Sequence, residues 1–349
     1  MQDVREVESS DKRRPVTIRT IAERAGVHPS TVSRALRRSP ASDDASERIW
    51  AIARELGYQP DVAAASLRTG STRAIGVLVH NLTDVVQALI FEAIERTALE
   101  FGYQAIVANT YDELSEQRRR AELMLSRRVD GLILADAHLD CAYVDWVQER
   151  GIPFVLVSRR CGERPAVTLD EQLGGRLAGA HVADLGHTRV GVLSGMAFSS
   201  ATSGRTEGFV AALRERGVDV PAEQREPCGL DAASGREAMD RLLDRVPGIT
   251  AVFAVNDFTA LGAAGALNAR GLRAGADVAL VGYNDIPIAA ATQLTTVRSP
   301  HQSMGSIATH QLVDALAGRS IQDVRLAPEL MIRESSAGPR PVAVQTSGR

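Results

Sequence analysis

Residues 16–36 read VTIRTIAERAGVHPSTVSRAL, and the spacing within this stretch decides the fold of the first 60 residues. Ile18, Ile21, Ala22 and Ala25 recur at the interval that lines up side chains on one face of a helix. Gly26 stops that helix, because glycine adopts a left-handed backbone at little cost. Val27 then reaches back to the same apolar face. Pro29 suits the first turn of a second helix, where a missing N–H leaves no bond unmade. Val32 and Leu36 face inward, so Ser30, Thr31, Ser33, Arg34 and Arg37 point elsewhere. A third helix is predicted around Ala45–Leu56, packing Ile49, Ile52, Ala53 and Leu56 against the first two. Two short helices joined by a tight glycine-containing turn form a helix-turn-helix.

The charge agrees with that geometry. The whole chain of 349 residues has a formal net charge of -3. Between Lys12 and Arg38, however, eight basic residues face Glu23 alone, about +7 over one short segment. The second helix has side chains suited to a major groove. Ser30 can reach base edges, and Arg34 can present a planar fork to guanine O6 and N7. Thr31 and Ser33 suit phosphates, which fix register without reading sequence. The alternative is a solvated surface helix whose arginines face water.

Downstream, residues 59–73 form an Ala-rich connector opened by Pro60 and closed by Gly70. From Ala74 the pattern changes. AIGVLV (from Ala74), QAIVA (Gln104), DGLILA (Asp130), PFVLV (Pro153), RVGVLS (Arg189), AVFAV (Ala251) and VALVGY (Val278) are apolar runs of strand length. Helical stretches alternate with them, the first two around Leu89–Glu100 and Glu113–Arg127. Apolar strands alternating with amphipathic helices predict parallel sheets covered on both faces, and the strand count suffices for two such sheets. The fold class is therefore α/β, with an all-α headpiece ahead of a two-sheet core. In open α/β sheets ligands bind at the carboxyl ends of strands. Three polar residues fall at such places. Arg205 follows a Ser/Thr/Gly-rich loop, Asn256 ends AVFAV, and Asn284 follows VALVGY. An arginine fork could hold vicinal hydroxyls or a carboxylate, and amides donate and accept. The other reading is that some of these polar residues, Asp170 among them, cap helices.

Several classes are disfavoured. The first residues, MQDVREVESSDKRR, carry no apolar segment of the signal-peptide kind, and no stretch approaches a membrane span. Cys141, Cys161 and Cys228 are scattered and odd in number, which predicts free, mostly buried thiols in a reducing, cytoplasmic setting. Asp136-x-His138-x-Asp140-Cys141 superficially resembles a metal cluster, but no second dense His/Cys group partners it. His181 and His187 read as structural. Ser194 is displaced from the spacing of a nucleophile elbow, and no G-x-G-x-x-G follows a strand. No catalytic residue, cofactor or metal is expected.

The first segment resembles the headpiece of the lactose-repressor (LacI/GalR) family of transcription regulators. Thr17, Ile18, Ile21, Ala22, Ala25, Gly26, Val27, Thr31, Val32, Ser33 and Arg34 match its pattern, with His28 replacing the usual serine. The family's two variable base-reading positions fall on Pro29 and Ser30, so base reading here shifts toward Ser30 and Arg34. Tyr58, Pro60, Ala63, Ala64, Ser66 and Leu67 are similar to the family's hinge, which becomes helical on the operator. The resemblance implies that Leu67 wedges the central base step, that Ala64 and its neighbours let paired hinges approach, and that Arg68 meets phosphate or the minor groove. Thr17, His28 and Arg37 complete the implied DNA contacts.

The remainder resembles the family's periplasmic-binding-protein-like core, through Asp170–Gly174, Leu185-Gly186-His187, Arg205 with Gly208-Phe209, Val255-Asn256-Asp257, Val281-Gly282-Tyr283 and Leu294–Val297. This implies two lobes with crossovers near Asp170, Arg298 and Pro328. The expected divisions are a disordered extension (1–15), a headpiece (16–60), a hinge (61–73), an N-lobe (74–169 plus about 299–327), a C-lobe (170–298 plus about 328–338) and a flexible tail (339–349). Ser158, Asp170, Arg205, Asn256 and Asn284 are the implied effector residues. Asn284 stands where many sugar sensors carry aspartate, and Asp84-Val85-Val86-Gln87 stands where many carry Asn-Pro-Phe-Phe. A sugar or sugar derivative is the default effector, with a purine, polyol or small acid open. The expected partners are a pseudo-palindromic duplex DNA operator, a second copy of the chain and the effector, with no membrane. A partner protein docking on the core is the alternative co-signal.

Overall fold

The computed structural model describes residues 16–36, 44–58 and 70–336. Expectations for the N-terminal extension, Arg37, the hinge residues Ala64, Leu67 and Arg68, and the tail beyond residue 336 lie outside the described residues. The chain divides into two compact units, Met1–Thr72 and Arg73–Arg349.

In the first unit, α1 (Ile18–Ala25), α2 (Pro29–Ala35) and α3 (Asp44–Glu55) enclose a small core. Ile21, Val32 and Ile49 are fully buried at its centre, with Ala22, Ala25, Ala35 and Ala53 around them. Ile18, Val27, Leu36, Ile52, Leu56 and Tyr58 close its edges. Thr17 caps α1 by accepting from the Thr20 N–H, and the Thr20 hydroxyl oxygen in turn accepts from the Thr17 N–H. Gly26 takes φ 68° and its N–H donates to the Ala22 carbonyl, so the turn needs the left-handed conformation that glycine supplies.

The second unit holds two six-stranded sheets. The first contains β1 (Ala74–Val79), β2 (Gln104–Asn109), β3 (Gly131–Leu134), β4 (Phe154–Val157), β5 (Ala166–Leu169) and β11 (Val324–Leu326), in the order β11-β5-β4-β3-β1-β2. All its pairings are parallel. The second contains β6 (Val190–Leu193), β7 (Arg225–Glu226), β8 (Ala251–Ala254), β9 (Ala279–Asn284), β10 (Thr295–Arg298) and β12 (Glu329–Met331), in the order β12-β10-β9-β8-β6-β7. Only β12 runs antiparallel to its neighbour. The chain thus passes between the sheets three times, after β5, after β10 and after β11.

Strand alternation explains why each sheet is covered twice. On β1, Ile75, Val77 and Val79 face α4 (Val85–Glu100) and α12 (His301–Leu316), meeting Ile90, Ile94, Ala308 and Leu312. Leu78 faces the other way, toward α5 (Leu114–Ser126) and α6 (Ala142–Glu149). On β6, Val190 and Val192 pack on α7 (Glu171–Asp184) and α8 (Ser200–Arg214) through Ala178, Val182, Phe209 and Leu213. Leu193 packs on α9 (Ala232–Arg245) and α10 (Asp257–Ala269). Helices α7 and α8 approach so closely that a Cβ at Gly175 would collide with the Arg205 carbonyl oxygen.

Two features differ from the sequence reading. Strands β5, β7, β10, β11 and β12 were not among the seven expected runs; each is only two to four residues long, too short to show a period. Helix α4 begins at Val85 rather than Leu89, because Asp84 caps it by accepting from the Val86 N–H at 3.0 Å.

Candidate functional site

The headpiece presents one exposed polar face. Pro29, Ser30, Thr31 and Arg34 of α2 are exposed, and Ser33 is half-buried. His28 caps this helix. Its Nδ1 accepts the Ser30 N–H at 3.3 Å and lies 2.8 Å from the Ser30 hydroxyl. A nitrogen that accepts from the backbone carries no proton, so the hydroxyl is the donor in the second bond. Ser30 Oγ therefore keeps its acceptor lone pairs, which match the amino groups of adenine and cytosine in a major groove. His28 and Thr17, expected as DNA contacts, both serve as helix caps here while remaining exposed.

In the core, the facing ends of the two sheets enclose a cleft. Its larger cavity, about 560 Å³, lies between His80, Asn81, Asp84, Tyr111 and Asp112 of one lobe and Met196, Leu230, Asp231 and Phe258 of the other. A second cavity of about 320 Å³ is lined by Ser158, Asp170, Glu171 and Arg325, among others. A polar gap of about 30 Å³ brings Ser158 together with Arg205, Asn256 and Asn284. Asp170 is absent from that gap and shares only the second cavity with Ser158.

Their hydrogen bonds sharpen the picture. Asn256 caps α10: its Oδ1 accepts the Thr259 N–H at 2.7 Å and its Nδ2 donates to the Leu230 carbonyl at 2.7 Å. Asp170 caps α7 through the Leu173 N–H. Asn284 ends β9 at φ 108° and accepts from the Ser299 hydroxyl at 3.4 Å. The Ser/Thr/Gly-rich run before Arg205 is helix rather than loop, since α8 begins at Ser200. Arg205 lies in the second turn of α8, and three of its five N–H groups are already bonded within the lobe. Nε and Nη2 donate to the two Glu171 oxygens at 2.8 and 3.0 Å, and Nη1 donates to the Val255 carbonyl at 2.8 Å. The Tyr283 ring lies 4.0 Å from its guanidinium carbon. Arg205 is thus first a buried organiser of its own lobe.

Of the polar residues lining the larger cavity, the sequence singles out only Asp84, as a departure from the family's pattern. His80 Nε2 meets Asp84 at 3.0 Å. Asp112 accepts both Arg159 nitrogens at 2.5 and 3.1 Å. Burial opposes the Asp112 charge, but the Arg159 bonds and charge outweigh it and hold this carboxyl below its usual range. Asp112 and Arg159 are 47 residues apart, and no local signal couples them. Tyr111 and Phe258 supply aromatic surface to this cavity.

Under the cleft, Asp257 begins α10 and accepts from the Thr296 hydroxyl at 2.5 Å and the Ile286 N–H at 2.9 Å. Burial pushes its pKa up to about 7, against those two bonds. The folded chain therefore binds this proton more tightly than the unfolded chain, so its contribution to stability is full below about pH 4 and is lost as pH rises to about 7. Asp257→Asn is expected to gain on the wild type as pH rises from 5 to 7, by at most about 1.4 kcal/mol per pH unit. Denaturant melts at three pH values check this, and a constant difference would contradict it.

One expectation needs correction. The cysteines are not all free: Cys141 and Cys161 form a disulfide, with Cα atoms 5.3 Å apart, and only Cys228 is a free, buried thiol. A sequence separation of 20 in an odd set gave no sign of the pairing. Among the described residues no three potential metal ligands cluster, and His138 instead stacks on Phe198 at 4.2 Å. No described helix is long and apolar enough to cross a membrane.

Comparison with known proteins joins the two units. Residues 17–61 match the bacterial regulatory proteins of the lacI family. Residues 72–334 match the periplasmic binding proteins and sugar binding domain of LacI family. The HTH-type transcriptional repressor PurR of Escherichia coli O139:H28 is 32% identical over 332 residues, covering 92% of this chain and 97% of the relative. The structure of the Lac repressor dimer bound to operator and the anti-inducer ONPF has a TM-score of 0.83 at 27% identity, covering 93% of this chain and 99% of that one. The CelR–cellobiose complex has a TM-score of 0.70 at 30% identity, covering 92% and 100%.

Proposed function

We propose, from the premise that this chain belongs to the LacI family of bacterial regulatory proteins, that it is a transcriptional repressor whose hold on its operator is set by a small molecule between the core lobes. Two copies bind a pseudo-palindromic operator, one headpiece per half-site, with Ser30 and Arg34 against base edges. The PurR relatives are repressors, and the Lac repressor structure is a dimer on its operator. The observation that carries the reading is the cavity of about 560 Å³ between the lobes of a core that follows a helix-turn-helix unit. Ligand that fits one lobe arrangement better than another shifts the population between them.

A sugar or sugar derivative suits that cavity. Carboxylates and an imidazole at Asp84, Asp112, Asp231 and His80 serve hydroxyl groups, while Tyr111, Leu230 and Phe258 offer apolar surface to a ring face. CelR, one of the similar structures, holds cellobiose. The test is a thermal-shift screen of sugars, nucleobases and small acids on the full chain. A true effector at a hundred times its Kd adds about 2.7 kcal/mol of stability. The same compound must then change retention of a DNA fragment selected by the chain from a random duplex pool. A screen in which no compound raises the melting temperature would move the signal to a partner protein.

A further inference from the structure

Two loops at the cleft carry the disulfide, and the same two loops touch the opposite lobe. Cys141 ends the loop from β3 to α6, and Cys161 lies in the loop from β4 to β5. In the first loop, the His138 ring stacks on Phe198, and the Leu139 N–H donates to the Phe198 carbonyl at 3.1 Å. In the second, the Arg160 N–H donates to the Ser200 hydroxyl at 2.7 Å. Phe198 and Ser200 belong to the other lobe, at the start of α8. The cross-link therefore ties together two segments that hold the lobes against each other.

The surroundings of the sulfurs suit reversible oxidation. Cys141 is half-buried and stands at the N-terminal cap of α6 with φ 62°, within reach of a small oxidant. Cys161 is fully buried, and the Arg164 guanidinium lies 3.4 Å from its sulfur. Positive charge and helix N-termini favour the thiolate, the form that attacks peroxides and disulfides. Arg164 is held in place by Asp145 and Gln148 of α6. A protein that works on DNA inside a bacterium sits among reduced thiols, where a disulfide that forms is usually a signal rather than a staple.

We propose that Cys141 and Cys161 are a peroxide-responsive thiol pair whose oxidation fixes the lobe contact through Phe198 and Ser200. The Cys141 thiolate attacks one peroxide oxygen. The O–O bond breaks, an S–O bond forms, and the other oxygen leaves with a proton as water or alcohol. The Cys161 thiolate then attacks the Cys141 sulfenic sulfur, the S–O bond breaks, the S–S bond forms, and water leaves. Two thiols have lost two electrons and two protons, and one peroxide has been reduced. The thiol chemistry is tested without DNA; its reading as a signal and its effect on operator binding rest on the repressor reading.

The test uses the full chain, reduced and then treated with one equivalent of hydrogen peroxide. The intact mass is expected to fall by about 2 Da, with alkylatable thiols dropping from three to one. Amide exchange across Met196–Ser200 is expected to slow at least five-fold on oxidation, and dithiothreitol restores it. Cys228→Ser behaves as the wild type, whereas Cys141→Ser and Cys161→Ser show neither change. Affinity for a duplex selected from a random pool changes at least five-fold between the two redox forms. Three free thiols after treatment, pairing that involves Cys228, or unchanged exchange across Met196–Ser200 would each overturn the proposal. Equal DNA affinity in both forms would overturn its regulatory part. If no duplex is retained at all, the repressor reading fails, and mass and exchange still decide the thiol pair.

Discussion

Replacing Arg205 by alanine is expected to destabilise the core by about 3–5 kcal/mol, the usual cost of removing one member of a buried ion pair. The side chains of Arg205 and Glu171 are 9% and 10% exposed, so the surviving carboxylate would stand nearly dry. It would lose two charge-assisted bonds at once, and the Val255 carbonyl would lose its donor. The Tyr283 hydroxyl, buried beside Glu171, would then face a carboxylate stripped of its cation. A double change, Arg205→Met with Glu171→Leu, leaves no charge stranded and is expected to recover most of the loss. Chemical denaturation of the two single variants and the double variant closes the cycle. An Arg205→Ala core as stable as the wild type would show that the pair is solvated in solution. Any loss of effector response in Arg205→Ala must be read after this correction. Arg205→Lys, which keeps the charge but not the fork, is the informative comparison for the site.

The helix-turn-helix was legible because its signals are local. Ile21, Ala22 and Ala25 repeat at helical spacing, Gly26 must turn left-handed, and Pro29 can only begin a helix. The central strands were legible because AIGVLV or AVFAV buried on both faces leaves an unbroken apolar run. The edges were not, since β7 has two residues and β11 and β12 three each. At the cleft the difficulty is of another kind. A polar residue between a strand and a helix reads equally as ligand-facing or as a cap, and at Asn256 and Asp170 the capping bonds are made. Arg205 and Glu171 are 34 residues apart, and only the close packing of α7 on α8 at Gly175 brings them together. The carboxylate partner that occupies one edge of the arginine fork is a tertiary fact.

Arg34→Ala is expected to weaken operator binding by about 1–3 kcal/mol, or roughly 5- to 150-fold, while random duplex loses far less. The reason lies in what α2 can offer. Pro29 has no donor, the Ser30 hydroxyl proton is committed to His28, and Thr31 is short. Arg34, exposed on the same face, carries the one long, forked donor set among the described residues of that helix. A bidentate bond to a guanine edge is lost completely when the fork is removed, but a phosphate contact is lost equally on any sequence. The ratio of the two losses therefore separates reading from positioning. Gel retention with the selected duplex and with random duplex, at one fixed salt concentration, measures both. Equal losses would place Arg34 on the phosphate backbone and shift recognition to Ser30. Its remaining lone pairs would then select adenine or cytosine, and Ser30→Ala would become the variant that relaxes sequence preference.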